Sequence, residues 1–360
     1  MASKTESFVF DERSKSILLT IIKIHIATGQ PVGSRTLSKQ SREGLSAATI
    51  RNIMADLEEA GYLTHPHTSA GRIPTDKGYR FYADSIIKQA KISKSDEITI
   101  NRWLLDSGVA RAEEFMERTS HLLSEISGNV GIVISPPPAY DILQHLEFIK
   151  LSEGRVLVIT VSRSGIVRDR VVHLDEVVTQ DELDKTARYV LDNFEGMNLQ
   201  SIRTEILKKM SEEKVLYDRL LQNAVLICNS SLANSDEQGQ VYVDGTSTIL
   251  TKPDFTDDTE RLRELFKMYE EKGKLIKVLN EYLAESMPTG ICIRIGAENQ
   301  IPTMRNCAII TSAYNSGNNA VGGVVVVGPT RMEYARMITV VNYIARLFER
   351  VLSEENGLRP

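Results

Sequence analysis

The reading turns on residues 44–84, GLSAATIRNIMADLEEAGYLTHPHTSAGRIPTDKGYRFYAD. Ser46 is placed to cap a helix, because its hydroxyl can accept an otherwise unpaired backbone N–H. Ile50, Ile53, Met54 and Leu57 follow at spacings of three and four and form one apolar stripe. The opposite face holds Ala48, Arg51, Asn52, Ala55 and Glu59. Small residues let a helix sit deep in a groove, and Arg and Asn suit bidentate contacts with guanine and adenine edges. Gly61 has the character of a helix stop. Turn chemistry at Ser69-Ala70-Gly71, with Arg72 just after it, then predicts a short β-hairpin, and Thr75 to about Lys88 a further helix.

Upstream, Asp11 is placed to cap a helix running to Thr28, stopped by Gly29 and Pro31. Ser34 is expected to cap a short second helix, and Ser41-Arg42-Glu43-Gly44 the turn into the third. Three helices and a hairpin make a winged helix-turn-helix. The expected DNA-binding residues are Ser34, Arg35 and Thr36 at phosphate, Ser46, Ala48, Thr49, Arg51 and Asn52 on the recognition helix, and His67, Thr68, Ser69 and Arg72 on the wing. Arg72 would enter a minor groove or meet a phosphate. His65 and His67 form an H-x-H pair, but no third ligand lies near in sequence, so wing contacts or strand packing are preferred to a metal site.

The run 46–84, the stretch Thr28 to Ser38 and the distant segment Gly328-Pro329-Thr330-Arg331-Met332-Glu333-Tyr334 resemble the HrcA family of heat-inducible transcription repressors. Ala47 stands where that family usually has Pro, and Ile53 where it often has an acidic residue; neither lies on the Arg51/Asn52 face. The resemblance implies an α+β multidomain chain: a winged-helix domain over 1–88, a GAF-like domain over 89–175 and 286–360, and an inserted dimerising domain over 176–285. It also implies a homodimer on a double-stranded DNA operator of the inverted-repeat CIRCE type, control of chaperone genes, heat as signal and a chaperonin as partner.

The residues themselves give a compatible order of elements. The segment 91–103 reads as a polar linker. A helix from about Ala110 to Ile126 leads to the strand VGIVIS, and 145–174 reads as an antiparallel meander. A helical block follows over 180–235. Asp244-Gly245 marks a tight turn, two amphipathic helices separate at Gly273, and three strands return before a closing helix capped by Thr330 and Glu333. Gly322-Gly323 suggests a bulge.

Composition excludes several classes. No apolar run approaches the ~18 residues of a membrane span. The first ten residues lack the apolar core of a signal peptide, so a cytoplasmic protein is expected. Three scattered cysteines give no metal or disulfide pattern. The net charge of −5 is uneven, since residues 1–84 hold eleven Lys/Arg against nine Asp/Glu. Phosphate attraction needs a local basic face and not a basic protein. No catalytic motif, cofactor or metal is expected. A metabolite-responsive regulator, with its effector in the GAF-like domain, and an enzyme carrying a winged helix remain the competing classes.

Overall fold

The computed structural model describes residues 11–354, apart from 41–43, 68–70, 88–89, 106–111, 138–141, 153, 164, 175–177, 213–238, 250–251, 253–258, 287–289 and 316–320. The expected turn at Ser41 to Glu43 therefore lies outside the described residues. The architecture is mixed helix and sheet. At its start α1 (Glu12–Thr28), α2 (Ser34–Gln40) and α3 (Ala47–Glu59) precede a hairpin of β1 (Leu63–Thr64) and β2 (Ile73–Pro74), then α4 (Asp76–Ile86). These elements are called the head below. Asp11 caps α1, accepting from the Ser14 amide at 2.7 Å, and Gly29 ends it at φ +69°. Leu18, Ile21, Ile22, Ile50, Met54 and Leu57 close a small core between the helices.

The expected linker is a helix, α5 (Lys94–Leu104), capped by Ser93. Its few apolar residues are spaced to bury Ile100 and Leu104, which outweighs its polar composition. Then come α6 (Ala112–Ser127), β3 (Val130–Ile134), the meander β4 (Leu143–Lys150), β5 (Arg155–Ser162) and β6 (Val167–His173), α7 (Gln180–Asn193), α8 (Leu199–Glu212), β7 (Val241–Asp244), the one-turn α9 (Thr246–Ile249), α10 (Thr259–Glu270), α11 (Lys272–Ser286), β8 (Cys292–Ile295), β9 (Cys307–Asn315), β10 (Val321–Pro329) and α12 (Tyr334–Glu354). Two local readings change. Asp244-Gly245 turns a strand into a helix and not into a second strand, with Gly245 at φ +79°. The closing helix begins at Tyr334, with the Glu333 carbonyl accepting from Arg336 and Met337, so Thr330 is not its cap.

Strand pairing groups the chain differently from the expected borders. A five-stranded antiparallel sheet has the order β7-β3-β10-β9-β8, while β4-β5-β6 form a separate sheet. Val324 and Val326 of β10 face α12, and Val325 and Val327 face α10 and α11. Burial on both faces explains the unbroken VVVV run. Gly322 and Gly323 pair in register, without a bulge; a Cβ at Gly323 would meet Leu283 of α11 at 2.4 Å, so close helix packing requires the glycine. The meander was expected with the first GAF-like part, yet it packs on α7 and α8 in a core of its own. Conversely β7, α10 and α11, expected in the insertion, belong to the five-stranded sheet unit. Composition marks where strands give way to helices, but facing side chains decide which sheet a strand joins.

The head docks directly on this body. Tyr334 is fully buried, its ring 5.9 Å from Tyr79 and 6.3 Å from Tyr82. The Arg80 guanidinium of α4 meets Glu298, with Nε to Oε1 at 2.8 Å, and also donates to the Ile293 carbonyl. Asp76 accepts the Ala297 amide at 2.8 Å beside Gly296, where any Cβ would collide with that carboxylate. Arg331 donates to the Ile26 carbonyl in the last turn of α1. Among the described residues no helix is long and apolar enough to cross a membrane.

Candidate nucleic-acid interface

The side chains expected to touch DNA start on α3. Ser46 caps it, accepting from the Thr49 amide at 3.1 Å. Its end is a Schellman motif: Gly61 at φ +78° donates to Glu58 and Tyr62 donates to Leu57, which satisfies carbonyls that a helix end leaves open. With Ile50, Met54 and Leu57 buried, period 3.6 leaves Ala48, Thr49, Arg51, Asn52 and Ala55 exposed. Among the described residues, neither Arg51 nor Asn52 makes a side-chain hydrogen bond or ion pair, so both are available to a ligand.

At α2 the placement differs in part. Ser34 is the first residue of the helix and not its cap; the Gly33 carbonyl accepts from Thr36 and Leu37. Ser34 is only 9% exposed, whereas Arg35 and Thr36 face solvent. The α2 start therefore presents a guanidinium, a hydroxyl and helix N–H groups, with Ser34 packed beneath.

On the hairpin, His67 is exposed, while Thr68 and Ser69 lie outside the described residues. Arg72 is not a free wing arginine. Its Nε lies 2.6 Å from Glu58 Oε2, and its backbone exchanges two 2.9 Å hydrogen bonds with Val32. His65 joins the same carboxylate through Nδ1, so it works with Glu58 and not with His67. Burial raises the Glu58 carboxyl, but the His65 hydrogen bond and the Arg72 charge outweigh it and hold the group below the usual carboxylate range. Sequence reasoning missed Glu58, because a contact fourteen residues apart leaves no periodic signal. Thr75 Oγ1 to the Gly61 carbonyl at 2.7 Å and Lys77 Nζ to the Ala60 carbonyl at 2.8 Å fasten the hairpin base.

The family model described as "HrcA protein C terminal domain" matches residues 113–338. Over 344 residues the chain is 42% identical to the "Heat-inducible transcription repressor HrcA" of Geobacter sulfurreducens, covering 96% of this chain and 98% of that one. The chain belongs to the HrcA family. The protein of the same name from Syntrophobacter fumaroxidans is 38% identical, covering 95% of this chain and 97% of its own. A crystal structure described as that of a hypothetical protein is similar with a TM-score of 0.64 and 22% identity, over 96% of this chain and 100% of that one; the likeness is one of fold. Membership in the HrcA family places the chain among transcription repressors, which are not a class of enzyme. The matched HrcA C-terminal region begins within α6, so the head lies outside it, but the full-length HrcA relatives span head and body together.

Proposed function

We propose that the chain acts as a homodimer that represses chaperone genes by occupying an inverted-repeat, CIRCE-type operator. The head is a winged helix-turn-helix, with α3 in the major groove. The single observation that carries this reading is the open α3 face, where Arg51 and Asn52 stand between small residues with no partner among the described residues. Arg35, Thr36 and the α2 N-terminus lie against phosphates, and Ser46, Ala48 and Thr49 set the approach of α3. His67 and its neighbours Thr68 and Ser69 belong to the wing. One such head reads a half-site, so an inverted repeat requires two chains. In this reading the five-stranded sheet and its helices form the GAF-like body, and the separate meander with α7 and α8 is the inserted, dimerising unit.

Heat ends repression by loosening the body, and a chaperonin that captures exposed strands such as β10 returns the chain to its folded form. The test is sequencing of genomic fragments retained by the purified protein, followed by titration of the enriched site. Arg51→Ala should weaken binding to that site by about 1–3 kcal/mol and relax preference near one base pair. Wild-type affinity and preference in that variant would place the recognition face elsewhere.

A further inference from the structure

We propose that Glu58 positions the wing, holding Arg72 as an anchor against the recognition helix and out of contact with phosphate. The inference rests on the reading of α3 as that helix. The hairpin has two paired residues per strand, Leu63 opposite Pro74 and Thr64 opposite Ile73, and such a short ladder does not hold its own attitude. One carboxylate compensates for this. Glu58, in the last turn of α3, meets His65 just past the end of β1 and Arg72 just before β2, so it spans both stems of the loop. The Arg72 backbone is fixed as well, through both hydrogen bonds to Val32, at the turn between α1 and α2. Gly71 permits that approach, since a Cβ there would lie 2.5 Å from the Val32 carbonyl oxygen. The Arg72 side chain is 25% exposed, and its buried Nε meets Glu58 as a close charge pair without hydrogen-bond geometry, so charge and the main-chain bonds to Val32 carry the hold. An arginine held by side chain and main chain to two other elements sets the attitude of the hairpin stems at His65 and Ile73.

The experiment uses the full-length chain. Operator affinity is measured across a salt series for wild type, Glu58→Gln, Arg72→Ala and the double variant, with Arg51→Ala as reference. Glu58→Gln and Arg72→Ala should each weaken operator binding by about tenfold, and the double variant should be no worse, as coupled neighbours behave. The slope of log affinity against log salt should stay at its wild-type value in Arg72→Ala, because a lost phosphate contact would reduce it by about 0.9. The opposite pattern overturns the proposal: Glu58→Gln binds more tightly because it frees a cation for DNA, and Arg72→Ala flattens the slope. Amide exchange without DNA gives a second readout. Faster exchange at Val32 and Arg72 in Glu58→Gln supports the anchor, and unchanged exchange refutes it. Failure of Arg51→Ala to weaken binding would count against the recognition face and leave the exchange result to decide the anchor.

Discussion

The head and the meander unit are joined to the five-stranded sheet in opposite ways. Head residues such as Leu18, Leu57, Tyr79 and Tyr82 share one continuous cluster of buried side chains with Tyr334, Met337, Val341 and Phe348 of α12. The meander closes its own core, with Leu146, Phe148, Val156 and Val158 against Leu183, Val190, Ile202 and Ile206. Among the described residues its links outward include Ile166, at the β5–β6 turn, which joins the cluster shared by head and α12, and Arg168, which donates to the Pro136 carbonyl at 3.4 Å. Where apolar side chains interdigitate across a boundary, the two sides melt as one unit; where each side buries its own, they can open separately. The head, expected as a domain over 1–88, is by this measure packed into one core with the body. Loosening the sheet then reaches the proposed DNA-binding surface directly.

The comparison breaks or sharpens most under large core deletions. Tyr334→Ala removes a fully buried ring from the head–body seam and should cost about 3–5 kcal/mol. Probes in head and body should then report one transition, lowered together; a head that melts separately at its old temperature would refute the shared core. Phe148→Ala, of similar cost, should lower melting of the meander and leave the shared head-and-body transition in place, as read by amide exchange. A smaller effect is expected from acid. Asp96 of α5 accepts from Arg336 of α12 at 2.8 and 3.2 Å, and these bonds hold its carboxyl below the ordinary value of 3.8 despite burial. Folding favours the charged form, so the contribution is present at neutral pH and lost as pH falls through the folded value. Asp96→Asn should cost about 1 kcal/mol at pH 7, given that Arg336 is half exposed, and the gap to wild type should close at low pH in urea titrations. The least effect belongs to Glu298→Gln. Loss of its charge against Arg80 should lower the melting temperature by about 1 °C or less, and a head whose amide exchange rises without any shift in the body would mark that contact as local.

What was legible in the sequence was local. Asp11, Gly29, Ser46 and Gly61 mark their helix ends because a cap acts over three or four residues, and the α3 face follows from its period. The meander strands were legible for the same reason. The partners of β7 were not, since nothing in VYVD says that it pairs with β3. Nor was the contact of Arg72 with Glu58 and Val32, because it joins residues far apart along the chain. α5 was hidden by composition, with two buried aliphatics among polar residues.

The length of α12 carries one more consequence. From Tyr334, against the head, to Phe348, stacked on Phe115 and Tyr314, is fourteen residues, or about 21 Å of rigid rod. Such a rod is a lever. A tilt of about 5° at its Phe348 end displaces the Tyr334 end by about 2 Å, and a hydrogen bond to a base edge tolerates a few tenths of an ångström. If α3 reads bases as proposed, the chain need not unfold to lose its operator, because a slight rocking of one helix would carry Arg51 out of register.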